Sequence, residues 1–254
     1  MGFIKNDFFP ASSYNAIPFI SKMEHVAEDH KEDLLYLTKL LDKHDLPPSV
    51  YIKLMHIHSH QEEGNIVAWS EFDSPSMGKI PFLAPITLTG GTKVRGCHYL
   101  VDGKGDLQAF EYTTNMSCLD IAAYPAFVAE FCVYIVEHNL QMKFGLGIKS
   151  GVAEYGQWME IGYPEKCATF LLRGDLELPK LEVVAMKTTQ TQFLRAGAKL
   201  KDVQAHSHSH SEFSSSNGED DIDGVTTDGG FALGGQPLFP DTDFYRVISV
   251  IAAA

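Results

Sequence analysis

Length, composition and charge narrow the class of protein. A chain of 254 residues with 44% hydrophobic content, including 16 Phe and 10 Tyr, can bury a substantial core within one domain. A formal net charge of -13 makes phosphate backbones and anionic lipid surfaces poor partners, so we expect neither nucleic-acid nor membrane binding. No run of about 18 apolar residues occurs, and the N-terminus lacks a secretory pattern, so we expect a soluble cytoplasmic protein.

The negative charge is concentrated in one segment. Residues 201–230 contain seven acidic residues and one lysine among Ser, Gly and His, so six of the thirteen net negative charges lie there. This composition offers little to bury and predicts a disordered acidic segment. We therefore expect a single domain over residues 1–200, the acidic segment, and a C-terminal segment 231–254 whose apolar part returns to the body as a strand.

Two helices are predicted in the body. Ser21 and Glu24 have capping-box spacing, and leucines recur at helical intervals until the proline pair that follows Leu46. This pattern predicts one long N-terminal helix. Residues 125–139 predict a central helix, since a proline stands in the first turn and an apolar stripe indicates burial.

Strands are predicted for most of the remaining body. Residues 50–60 and 65–72 flank a short Gly-containing loop and predict a β-hairpin, and residues 93–102 and 106–113 predict a second one. Further strands are predicted over residues 142–149, 158–163, 168–173 and 181–186. Together these elements predict an α+β fold, a mainly antiparallel sheet with the long N-terminal helix and the central helix packed on it.

Three histidines stand at alternate positions at the end of the first predicted strand. His56, His58 and His60 would share one face, because successive side chains of a strand point to opposite faces. Glu62 and Glu63 follow at the turn, and imidazole and carboxylate groups suit first-row divalent metals. This predicts a site for zinc, iron, copper or nickel. The alternative is an edge strand whose polar face meets water, or a buried pair bonded to the backbone.

The second predicted hairpin supplies two more candidates. If it lies beside the first hairpin, His98 can complete the ligand set, and Glu111 can orient a ligand or act as a general base. The ordinary alternative is a cross-strand charged pair on a solvated face.

The acidic segment contains a second cluster of alternate histidines, His206, His208 and His210. It could bind a divalent ion weakly, because ordering a flexible chain offsets part of the coordination energy. The alternative is a solvated linker.

Two resemblances rest on the same residues. The run His56-x-His58 followed by Glu62 or Glu63 resembles the core of the first cupin motif, although Val50 replaces the leading glycine of that motif. The Leu-Met-His-Ile-His strand, the Glu-Glu-Gly turn, and residues 110–113 and 143–146 resemble a group of uncharacterised fungal proteins, a resemblance that implies no activity.

Two classes of function follow from these patterns. The first is a divalent-metal-binding protein, in its enzymatic form a small-molecule hydrolase, lyase or oxygenase, in which Glu62, Glu63 and Glu111 are the candidate catalytic carboxylates. The second is a non-enzymatic interaction or metal-handling protein. The first class implies a small-molecule partner, and the sequence leaves the oligomeric state open.

Overall fold

β-Strands account for most of the ordered secondary structure. The computed structural model describes residues 2–23, 25–74, 78–89, 91–149, 158–163, 167–173, 186–190, 192–193, 207–211, 232–233 and 236–237. The strands are β1 Ile4–Lys5, β2 Val50–Leu54, β3 Asn65–Ser74, β4 Gly78–Thr87, β5 Arg95–Val101, β6 Leu107–Thr113, β7 Phe144–Ile148, β8 Trp158–Tyr163, β9 Ala168–Arg173, β10 Met186–Gln190, β11 Gln192–Phe193, β12 Ser207–Ser211, β13 Ala232–Leu233 and β14 Gln236–Pro237. The helices are α1 Ala11–Tyr14, α2 Val26–Asp29, α3 Lys31–Lys43 and α4 Pro125–Glu137, with 3-10 turns at Ile20–Lys22 and Ile121–Ala123.

Within the described part of the chain, twelve strands form one mixed sheet, and β13 and β14 form a separate pair. The order across the large sheet is β10-β12-β8-β9-β4-β3-β6-β5-β7-β2-β11. The short strand β1 pairs with the first two residues of β6, and β3 pairs with the last three. Most pairs are antiparallel. The pairs β1–β6, β3–β6 and β8–β12 are parallel.

The predicted fold class is wrong. Instead of an α+β domain with a long N-terminal helix, the chain is dominated by a mixed sheet that includes parallel pairs, and its helices are short. The strands of the sheet interior, such as β2 and β6, are buried at every residue. Strands buried on both faces read as near-continuous apolar runs, so their sequences do not reveal which neighbours they pair with.

The predicted N-terminal helix is broken at His30, which ends α2 and begins α3 with φ -115° and ψ 33°. The His30 ring fixes this turn through both nitrogens. Its Nδ1 donates to Asp33 Oδ2 at 3.0 Å, and the Lys143 ammonium donates to its Nε2 at 2.8 Å. Two side-chain bonds therefore hold a non-helical residue where leucine spacing alone predicts continuous helix.

The first predicted hairpin is also wrong. β2 ends at Leu54 and pairs with β7 and β11, whereas β3 pairs with β4 and β6. The intervening residues connect two distant parts of the sheet, and Ile57 forms only an isolated parallel bridge with Phe19. Because every residue of β2 is buried, the backbone N–H and C=O groups on both of its edges need hydrogen-bond partners, and a single hairpin partner covers only one edge.

The second hairpin, the central helix and three further strands of the body are confirmed. β5 and β6 form the second predicted antiparallel hairpin. The central helix forms as α4, and β7, β8 and β9 lie within three of the predicted strand ranges. Of the predicted strand over residues 181–186, all but the last residue lies outside the described residues.

Most of the C-terminal region also lies outside the described residues, including the predicted strand over residues 244–251. Within the acidic segment the structure describes Ser207–Ser211, which is β12 and pairs with β10 and β8. In the described part of the chain, no helix combines the length and apolar character that crossing a bilayer requires.

The core lies where the two longer helices meet the sheet. α3 packs on β2 and α4 on β5, and the helices contact each other. Leu37 and Leu41 of α3 and Phe127, Phe131 and Ile135 of α4 are at most 1% exposed. The Phe127 and Phe131 rings stack with centroids 5.7 Å apart. This aromatic pair fills the space under the sheet and holds α4 against it.

We expect Phe131→Ala to lower the free energy of unfolding by about 3–5 kcal/mol, because it removes a fully buried ring and leaves a cavity. Urea denaturation measures the change. Val133→Ala on the same helix is the matched control, since Val133 is 37% exposed and should lose less than about 1 kcal/mol. Equal losses in the two variants would contradict the packing of α4.

Candidate functional site

One row of residues crosses five neighbouring strands of the sheet. Tyr51 of β2 is opposite Gly147 of β7, which is opposite His98 of β5, and His98 is opposite Glu111 of β6. Val67 of β3 ends the row beside Glu111. Directly opposed residues share one face of a sheet, so residues far apart in sequence meet at one place.

A β-bulge positions His98. The register between β5 and β6 shifts on both sides of His98, so Cys97 has no regular partner on β6. A bulge adds one residue to one strand and re-aims the neighbouring side chain. As a result the His98 ring lies between Tyr51 and Glu111.

Gly147 lets Tyr51 reach across a strand. The β2 and β5 backbones are two strand spacings apart, about 10 Å, and the Tyr51 ring covers Gly147 to close that distance. A Cβ on residue 147 would lie 2.3 Å from Tyr51 Cζ. Only glycine leaves room there for the hydroxyl of Tyr51 to lie 2.6 Å from His98 Nε2.

Tyr51, His98 and Glu111 form a hydrogen-bonded series, and Glu111, at its end, is completely buried. Its Oε2 accepts from His98 Nδ1 at 2.5 Å and from the indole Nε1 of Trp69 at 3.1 Å. Its Oε1 is buried and has no hydrogen-bond partner among the described residues. A buried carboxylate with two donors on one oxygen is held in place and can still accept at the other.

Interactions with neighbouring side chains keep Glu111 ionised. Burial by itself raises the pKa of this carboxyl, but the Lys53 ammonium, His98 and, more weakly, His58 outweigh it and lower the pKa from 4.5 to about 2. An ionised carboxylate only accepts, so His98 Nδ1 carries the proton of their bond. In the neutral ring Nε2 is then the acceptor, and the Tyr51 hydroxyl donates to it.

The Tyr51–His98 face forms one wall of a cavity of about 260 Å3, called the Lys53 cavity below. It is lined by Tyr51, Lys53, Trp69, Ser70, Glu71, Lys79, Pro81, Cys97, His98, Thr113, Thr114, Asn115, Ile148, Lys149, Leu171 and Gln192. These side chains come from eight strands of the sheet and from residues that directly follow β6 and β7. The curvature of the sheet is thus what encloses the cavity.

Two lysines make this cavity cationic. Lys53 is buried, the Nζ of Lys149 is buried as well, and burial lowers the pKa of Lys149 to about 8. Glu111 supplies one negative charge behind the wall. Lys79 and Glu71 also line the cavity and pair with each other at 3.3 Å, so their charges offset one another.

The three alternate histidines lie beyond the end of β2 and do not share one environment. His56 is buried, its ring 5.0 Å from that of His58, and its Nδ1 donates to the Leu54 carbonyl at 2.8 Å. His60 is exposed and packs edge-on against Phe19. Among the described residues that line the Lys53 cavity, His98 is the one predicted ligand.

The three predicted catalytic carboxylates also lie in different environments. Glu62 and Glu63 are exposed on the loop before β3, whereas Glu111 is at the site. His98 and Glu111 are brought together as the sequence suggested, although on a buried face and not a solvated one. Across the described ranges, no group of three or more His, Cys, Asp or Glu side chains is placed to hold a metal ion.

Sequence reasoning missed Tyr51, Lys53, Lys149 and Trp69. One signal could have found the first two. In the apolar strand Val-Tyr-Ile-Lys-Leu, Tyr51 and Lys53 alternate with the aliphatic residues, and a lysine inside a buried strand needs a specific reason. The histidines continue the opposite alternation, so they belong to the other set of positions along the strand.

No protein-family model, no curated protein and no solved structure matches this chain. Side-chain geometry is therefore what bears on function. The resemblance to uncharacterised fungal proteins and to the first cupin motif stays a prediction.

We expect Glu111→Gln to lower the free energy of unfolding by about 3 kcal/mol at neutral pH, the value that linkage assigns to a pKa lowered from 4.5 to about 2. A lowered pKa stabilises the fold above about pH 4.5, and this stabilisation is lost as the pH falls toward 2. The difference between wild type and variant should therefore shrink between pH 5 and pH 3. Denaturation at several pH values measures it.

The exposed Glu63 provides the matched control. Glu63→Gln should leave stability within about 0.5 kcal/mol of wild type at every pH. A Glu111→Gln difference that stays constant with pH would show that the charge of Glu111 is not what stabilises the row.

Proposed function

We propose that the chain binds a small organic anion in the Lys53 cavity. The observation that carries this proposal is that two lysines, Lys53 and Lys149, line the same cavity. Lysine ammonium groups bind carboxylate and phosphate groups through charge-assisted hydrogen bonds. A small anion in the cavity would therefore interact favourably with both lysines.

The lining of the cavity suits a small molecule. Trp69, Ile148 and Leu171 provide apolar surface, while Thr113 and Gln192 provide polar groups. Binding sites for small molecules combine these features, a mostly apolar wall with a few placed polar groups. A volume of about 260 Å3 admits a ligand of metabolite size.

The hydrogen-bonded residues Tyr51, His98 and Glu111 could transfer protons at the wall of the cavity. His98 can accept the proton of the Tyr51 hydroxyl, because the ionised Glu111 stabilises the charged imidazole, and the resulting phenolate can accept a proton from a bound ligand. A base oriented by a buried carboxylate is a common arrangement in acid–base catalysis. This arrangement favours an enzyme over a passive carrier.

Metal binding is the second candidate, and one observation favours it. His56 donates Nδ1–H to a backbone carbonyl, which leaves Nε2 as the basic nitrogen, and the His58 ring lies 5.0 Å away. Metal-binding imidazoles usually donate their other ring N–H in this way. We propose a weak divalent site at these two residues. His98 could serve as a further metal ligand only if its ring gave up its hydrogen bond to Tyr51 or to Glu111.

We expect small carboxylates or phosphates to bind the full chain, and Lys53→Met and Lys149→Met each to weaken binding by roughly tenfold or more. Titration calorimetry with acetate, propionate and inorganic phosphate measures this. Lys39→Met is the matched control, because Lys39 is exposed on α3. Affinity should also fall as the pH rises past 8, where Lys149 loses its proton. Unchanged affinity in both cavity variants would contradict the proposal.

For the metal site, we expect the purified chain to bind zinc or nickel and the double variant His56→Ala with His58→Ala to lose it. Calorimetry or elemental analysis gives the stoichiometry. The exposed His25 provides the control His25→Ala, and alanines at His206, His208 and His210 test binding by the acidic segment. Retained stoichiometry in the His56 and His58 double variant would reject this site.

A further inference from the structure

We propose that Lys149 forms an imine with the carbonyl group of a small oxo carboxylate in the Lys53 cavity, while Lys53 binds the carboxylate of the same molecule. This inference rests on the anion binding proposed above and adds a reactive carbonyl to the ligand. Three chemical functions share the cavity wall: an amine nucleophile, a second cation, and a hydroxyl connected to a proton acceptor.

The strand register orders these groups along the wall. Tyr51 is opposite Gly147, and Lys53 follows Tyr51 by two residues on β2. Lys149 follows Gly147 by two residues, and its backbone N–H donates to the Ser49 carbonyl at 2.8 Å, which continues the antiparallel pairing. The two lysines therefore flank Tyr51 on one face. A linear ligand would place its carbonyl toward one lysine and its carboxylate toward the other, with the tyrosine hydroxyl between.

The surroundings of Lys149 favour nucleophilic chemistry. Its Nζ is buried, and the lowered pKa of about 8 leaves part of the amine neutral at neutral pH. Only the neutral amine attacks a carbonyl carbon, and desolvated lysines are the ones that proteins use for this reaction. Lys53 lines the same cavity and interacts electrostatically with the buried Glu111 carboxylate.

The reaction balances without an oxidant or reductant. The Lys149 nitrogen lone pair forms a C–N bond, the carbonyl π electrons move to oxygen, and Tyr51 protonates that oxygen. The nitrogen then gives one proton to the Tyr51 phenolate. In the second half the C–O bond breaks, the hydroxyl leaves as water with a proton from Tyr51, and the remaining nitrogen proton passes to the phenolate. The products are an imine and one water molecule.

Trapping tests this proposal. The full chain is incubated with pyruvate or with 4-oxopentanoate, each with cyanoborohydride, which reduces an imine to a stable secondary amine. Intact mass and peptide mapping should show one adduct, located at Lys149. Lys149→Arg should give no adduct and still bind propionate, because arginine keeps the charge but does not form the imine. Lys39→Arg on the exposed face of α3 should label like wild type.

Two further variants separate the roles within the cavity. Lys53→Met should lower the labelling rate by roughly tenfold with either oxo carboxylate and leave it unchanged with acetone, which has no carboxylate. Tyr51→Phe should slow labelling without moving it to another lysine. Thermal melting checks that each variant is folded.

The outcomes distinguish this inference from the function on which it rests. Propionate binding that depends on Lys53, without an adduct at Lys149, would overturn the imine and leave anion binding intact. Labelling spread evenly over exposed lysines would also overturn it. If neither propionate nor phosphate binds and no adduct forms, both proposals fail.

Discussion

The burial of one carboxylate governs the arrangement of this protein. Glu111 has no exposed surface, and an isolated buried carboxylate would take up a proton or destabilise the fold. It stays ionised because Trp69 and His98 donate to it and Lys53 contributes a positive charge. These partners belong to β3, β5 and β2, so the carboxylate couples strands distant in the chain. The same interaction orients His98, and through it Tyr51.

The geometry of the site therefore depends on how the strands of the sheet pair. The row from Tyr51 to Glu111 exists only because β7 lies between β2 and β5 and presents a glycine where the tyrosine ring crosses. The bulge at Cys97 then gives His98 two polar neighbours. A side chain at residue 147, or a regular β5, would separate the hydroxyl from the imidazole. Small local departures from regular pairing thus create a connected set of polar groups inside an apolar sheet.

Charge distinguishes the two regions that bear on function. The Lys53 cavity is lined by Lys53, by Lys149 and by the oriented Tyr51 hydroxyl, with Glu111 behind its wall, an arrangement that suits an organic anion and proton transfer. The region of His56 and His58 offers two imidazoles close together, an arrangement that suits a weakly held cation. The two candidate functions are compatible, because they involve different side chains and ligands of opposite charge. Glu111 is electrostatically coupled to both regions, through Lys53 and through His58.

Local patterns in the sequence determined the elements that depend on local chemistry. The turn glycines predicted the hairpin of β5 and β6, the proline and apolar stripe predicted α4, and β7, β8 and β9 lie within strands that the sequence predicted. His98 and Glu111 were recognised as possible partners because that hairpin is local. Tertiary structure alone decided that His30 breaks the N-terminal helix, that β2 pairs with β7 and not β3, and that Tyr51, Lys53 and Lys149 share a cavity. The physical reason is that a strand buried on both faces has no sequence signal for its neighbour, so contacts across the sheet depend on how the whole chain packs.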